Sequence, residues 1–66
     1  MGVLKVIELM ADSDESWEDA TKSAVKQAAK SVKNIRSVWV KNQSCNIKDD
    51  AVKSFRVTVK VTFEVK

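Results

Sequence analysis

The final thirteen residues, Ser54–Lys66, alternate without a break. Phe55, Val57, Val59, Val61, Phe63 and Val65 fall on one face, and Arg56, Thr58, Lys60, Thr62, Glu64 and Lys66 on the other. Strict period-two alternation in Val, Thr and Phe predicts a half-buried β-strand. The run is more than twice the usual strand length of about 5–6 residues. A strand this long leaves backbone donors and acceptors along its edges, and a chain of 66 residues has little with which to cover them. The pattern therefore predicts assembly with further copies or partners.

The rest of the chain falls into three more elements. Val3–Met10 (VLKVIELM) is short, apolar and β-prone, and predicts a first strand. In Asp12-Ser13-Asp14-Glu15, either Asp12 or Ser13 is positioned to cap a helix, and Asp12 with Glu15 has capping-box spacing. Asp14, Glu15, Glu18 and Asp19 then complement the positive end of a helix predicted over 14–33. Trp17, Ala20, Ala24, Ala28 and Val32 step by three or four along it and form one apolar stripe, whose three alanines allow close approach. Lys22, Lys26 and Lys30 recur every four residues on a polar side, with Glu18 and Lys22 spaced as an i,i+4 pair. These lysines suit either a phosphate-binding stripe or a solvated face, and the solvated face needs no partner. Asn34 tolerates left-handed backbone and suits the helix exit. Ile35–Asn46 predicts a second strand, and Ile47–Val52 a turn with Asp49-Asp50 at its tip. The order β-α-β-β specifies a single α+β domain over 1–66, a three-stranded antiparallel sheet with one helix packed on one face.

The phase of the second strand places candidate chemistry. Val38 and Val40 share a face that points at the helix, so Ser37, Trp39 and Lys41 face the other way, beside Arg56, Thr58 and Lys60. Trp39 is thereby left outside the monomer core. It either fills a subunit interface, where Trp is enriched, or stacks on a planar ligand with the Arg56 guanidinium nearby. Phe55 and Phe63 are expected in the core, and Trp17 in the core or as an anchor beside it.

Composition narrows the function classes. A domain this small buries only about 60% of its unfolded surface and needs a disulfide, a metal or oligomerisation. Cys45 is the single cysteine and there is no histidine, which excludes an internal disulfide and the common zinc sites and leaves oligomerisation. Without histidine there is no imidazole base and no Cys-His nucleophile, and with Gly2 alone there is no glycine-rich phosphate cradle, so a non-enzymatic protein is expected. The net charge of +3 is spread among interspersed acids, which disfavours nucleic acid as a partner. No signal pattern and no membrane-length apolar run is present, so the expectation is a soluble cytoplasmic protein. The acidic run Asp12, Asp14, Glu15, Glu18 and Asp19 has oxygens for a hard cation but not the spacing of an EF-hand, and helix capping accounts for it. No metal ligands are assigned.

A strand ending KVIEL, a helix opening DSDESWEDA, the step VKNIRSVWV and a terminal FRVTVKVTFEV together resemble the dodecins, over nearly the whole chain. That resemblance implies a three-stranded antiparallel sheet curled around one helix, in a homododecameric hollow shell that binds, stores or buffers a small ligand, in many members riboflavin or FMN bound in pairs between subunits. It places Ser37 where flavin-binding members carry a stacking Trp early in the second strand. It places Arg56 where they carry a Gln that bonds the flavin edge. Both flavin hallmarks are thus replaced. Trp39, two residues on and about 6.5 Å further along the same face, offers a shifted platform. The SWEDA helix start and the IR…FRV pattern look closer to a subgroup linked to calcium. The candidate binding residues are therefore Ser37, Trp39 and Arg56, and the expected ligands are a flavin or calcium. A plain protein–protein module that recruits a partner strand to the sheet edge is a further alternative.

Overall fold

The computed structural model describes residues 2–65. Lys66, the last polar position of the terminal alternation, lies outside the described residues. The order is β1 (Val3–Ser13), α1 (Trp17–Ala28), β2 (Ile35–Lys48) and β3 (Ala51–Val65). The sheet runs β1-β3-β2, and β3 is antiparallel to both neighbours. The predicted terminal strand is thus the central one. Both of its edges are paired within the chain over much of its length, which answers part of the edge problem without any partner.

The core is the contact of one alanine stripe with one valine stripe. Ala20, Ala24 and Ala28 of α1 meet Val57, Val59 and Val61 of β3, and all six are buried. Ile7, Leu9 and Ala11 of β1 and Val38 and Val40 of β2 pack around them. The expected core position of Phe55 and Phe63 is corrected: both are only half-buried. The reason is length. Twelve helical residues span about 18 Å, whereas β3 spans roughly 50 Å, so α1 covers the middle of the strand and leaves its ends. Phe55 instead meets the Trp17 ring edge-to-face, centroids 5.1 Å apart at 72°, and the Trp17 indole donates to the Ser44 carbonyl at 3.0 Å.

The helix start also differs from the sequence expectation. β1 continues through Asp12 to Ser13, so neither residue caps the helix and the Asp12–Glu15 capping box does not form. Ser16 is the N-cap, and its hydroxyl accepts from the Asp19 N–H at 2.9 Å. Ser13 serves the turn before it. Its buried hydroxyl donates to Asp19 Oδ2 at 2.7 Å and accepts from the Glu15 N–H at 2.9 Å. The strand wins these residues because Asp12 and Ser13 lie opposite Arg56 and Phe55 in the β3 ladder. Replacing Ser16 by alanine should lower the unfolding free energy by about 1 kcal/mol, since one terminal N–H loses its acceptor. The check is a urea midpoint shift with an unchanged slope.

At its far end the helix stops at Ala28, short of the expected Lys33, and the chain turns through Asn34, whose φ of 64° is the left-handed geometry expected of it. The exposed Lys22 pairs with Glu18 at 3.5 Å. β2 and β3 are joined by a two-residue turn, Asp49-Asp50, with φ of 55° and 63°. Two consecutive positive φ values at the centre of a two-residue hairpin are the type I′ arrangement, whose twist matches that of the strands.

Candidate functional site

The side chains on the face of the sheet turned away from α1 take no part in the core. Strand register sets their neighbours. Val6, Thr62 and Ser37 form one row across the three strands; Glu8, Lys60 and Trp39 form the next; then Met10, Thr58 and Asn42; then Asp12, Arg56 and Ser44. β2 keeps this face through a bulge between Val40 and Asn42. Before the bulge the odd residues Ser37 and Trp39 face outward, and after it the even residues Asn42, Ser44 and Asn46 do. The bulge residue Lys41 reaches across β3 to Glu8 of β1 at 3.7 Å, so its predicted outward orientation holds.

Trp39 is 62% exposed, with Leu4, Val6 and Met10 also exposed across the same face. The cation at its ring is Lys60, with Nζ 5.2 Å from the centroid. Arg56, expected near the ring, lies four residues along β3 from Lys60, about 13 Å of strand. The structure therefore brings Ser37 and Trp39 together and keeps Arg56 apart from both. Ser37 offers a small exposed hydroxyl and no ring. Among the described residues of one chain, Trp39 is the one indole on this face.

Arg56 belongs to a polar clasp spanning all three strands. Its Nε and Nη2 donate to the two carboxylate oxygens of Asp12 at 2.7 and 3.0 Å. Asn46 Nδ2 donates to Ser54 Oγ at 2.7 Å and reaches Asp12 Oδ2 at 3.4 Å. The clasp forms one wall of an open cavity of about 500 Å³, with Asp12 and Asp14 from β1 and its loop, Asn46 from β2, and Lys53, Ser54 and Arg56 from β3. Asp12 comes opposite Arg56 through the register of β1 against β3, for which local sequence carries no signal. The bulge between Asn46 and Ile47 that brings Asn46 and Lys53 into the cluster has no such signal either.

The hydrogen bonds from Arg56, its charge and the Asn46 amide hold the Asp12 carboxyl below the ordinary aspartate value of 3.8, and Asp12 in turn holds the guanidinium above its own. A carboxylate with a lowered folded-state pKa contributes its stabilisation in full above the unfolded value and loses it as pH falls through the folded one. Thermal midpoints of the native protein and the Asp12→Asn variant should therefore differ most above pH 4 and converge on acidification below it. A difference that persists at the acid end would assign the effect of the substitution to something other than the ion pair.

Calcium requires several oxygen ligands. Among the described residues no three carboxylate, histidine or cysteine side chains come together to hold a metal ion, and Asp12 is already engaged by Arg56.

Residues 3–66 match the family model for Dodecin. The chain belongs to the dodecin family. It is 33% identical to the calcium dodecin of Mycobacterium tuberculosis over 66 residues, all of this chain and 93% of that protein. A crystal structure of that calcium-chelating antigen, described with a novel calcium-binding site, superposes with a TM-score of 0.85 at 33% identity, covering 97% of this chain and 91% of that one. A crystal structure of a Thermus thermophilus protein superposes with a TM-score of 0.94 at 29% identity, covering 100% and 97%. The dodecin from Streptomyces coelicolor, 22% identical with a TM-score of 0.94 over 98% and 93% of the two chains, shares the fold. The β-α-β-β order and the central third strand are thus the dodecin arrangement. Among the described residues no helix is long and apolar enough to cross a membrane.

Proposed function

We propose that this chain builds a non-enzymatic, homododecameric shell in the cytoplasm that binds and stores a small ligand. The observation that carries this reading is the outward sheet face. Trp39, Leu4, Val6 and Met10 are exposed there, and the chain's single helix is already spent on the opposite face. Exposed apolar side chains of this size on one face call for a cover, and membership of the dodecin family supports copies of the chain as that cover. Ser37, Trp39 and Arg56 are the proposed binding residues, as two separate contacts rather than one pocket within a subunit. Size-exclusion chromatography with light scattering should return about 89 kDa, twelve times the 7.4 kDa chain; a monomer would sink the reading.

Calcium is the second reading, favoured by the full-length similarity to a calcium dodecin. In this version the carboxylates of Asp12 and Asp14, on the same cavity wall, contribute to a site completed by another subunit. Calorimetry with calcium on the assembled protein and on Asp12→Asn and Asp14→Asn variants tests it, and absence of heat in the native protein rules it out. A flavin on the Trp39 platform predicts quenching of Trp fluorescence by riboflavin or FMN.

A further inference from the structure

We infer that the cavity beside the clasp takes an oxyanion group, the carboxylate or phosphate end of a small molecule. This deepens the small-ligand reading above by naming the chemistry of one of its contacts. Three features point the same way.

Arg56 is held in a fixed orientation by Asp12, which takes Nε and Nη2 and leaves the Nη1 hydrogens for another acceptor. A guanidinium has five N–H donors and no acceptor, and an oriented fork suits planar or tetrahedral oxyanions. Ser54 is 7% exposed, and its oxygen accepts from Asn46. Its own proton is therefore directed elsewhere than Asn46. Lys53 completes the donor set. It occupies the irregularity between the Asn46–Ser54 and Ile47–Val52 pairs, and both Lys53 and Ser54 line the cavity.

The charges decide between an anion and a cation. The Asp12 carboxylate is matched by Arg56, so the charges left on the cavity wall are Lys53 and Asp14. Beyond this pair the wall offers hydrogen-bond donors from Arg56 and Ser54. A cation would find one uncommitted carboxylate and a lysine beside it. An oxyanion would find the guanidinium edge, the hydroxyl and the ammonium, with Asp14 as the one opposing group. Lys53 and Asp14 should therefore act in opposite directions on binding.

The test is titration calorimetry of the assembled protein with inorganic phosphate and, separately, acetate. Saturable binding of either supports the inference, and the preferred anion identifies the source as phosphate or carboxylate. Lys53→Gln should weaken binding about tenfold, as loss of a charge-assisted contact. Asp14→Asn should tighten it by about threefold, as removal of an exposed like charge. Both positions are exposed and neither contributes to the core. No saturable heat with either anion, or weaker binding in Asp14→Asn, would overturn the inference. Light scattering on the same samples keeps it distinct from the shell reading: anion binding with the expected variant signs in a monomer would retain the site and dismiss the shell.

Discussion

Replacing Ala24 by leucine is expected to lower the unfolding free energy by about 1–3 kcal/mol, the usual cost of forcing extra carbons into a packed interface. Ala24 is 3% exposed and sits between Ala20 and Ala28, with the fully buried Val57, Val59 and Val61 across from the stripe. The alanine stripe lets the helix lie close to the central strand. A leucine side chain has to push the helix away, and every other contact of the stripe loosens with it. The loss is large for this chain, because a domain of this size has a total stability of roughly 3–10 kcal/mol. Urea denaturation at a fixed protein concentration, which holds any association term constant, should show a lower midpoint. Ser23→Leu on the exposed side of the same helix is the control, with a shift within about 0.5 kcal/mol. Equal midpoints for Ala24→Leu and the native protein would mean that the helix is not seated as described.

Trp39→Ala is expected to leave the subunit fold intact and weaken self-association by about 2 kcal/mol or more, the scale of an interface anchor, or roughly thirtyfold. The side chain is 62% exposed and contributes nothing to the buried core, so its loss removes little from the isolated subunit. Far-UV circular dichroism should be unchanged while light scattering over a dilution series shows dissociation at higher concentration. The same experiment divides the two roles left open for this residue. If the assembly withstands dilution as well as the native protein does but ligand binding is lost, the indole is a platform and the interface lies elsewhere on the face. Lys60→Gln should then reduce the binding of anionic aromatic ligands more than neutral ones, because Lys60 is the cation at the ring.

The sequence made the fold legible where one periodicity ran undisturbed. The Phe-Val alternation located β3 and its helix-facing side, and the Ala20–Ala24–Ala28 spacing located the face that meets it. The helix start was less legible because Asp12, Ser13 and Ser16 are all good caps by residue type. Strand pairing with Arg56 and Phe55 decided among them, and local sequence does not carry that contact. The half-burial of Phe55 and Phe63 followed from the unequal lengths of helix and strand, which a face assignment does not include. At the candidate site, outward phase was readable for Ser37, Trp39 and Arg56, but distance along the strand separates the last from the first two. The partners that give each residue its character, Lys60 for Trp39 and Asp12 for Arg56, follow from register.

The pairing of Val3 with Val65 places the start of β1 and the end of β3 side by side at one end of the sheet, while the Asp49-Asp50 turn closes the other end. In topological terms β1-α1-β2 is a split crossover unit with β3 inserted between its two parallel strands, and β3 can be joined to either neighbour by a tight turn. Joining β3 to β1 by a short turn and opening the chain at the aspartates would give the order β3-β1-α1-β2 with every ladder pair and the alanine–valine contact retained. The hairpin tip is therefore a place where this architecture can be cut, or lengthened by an inserted segment, without touching the core or the clasp.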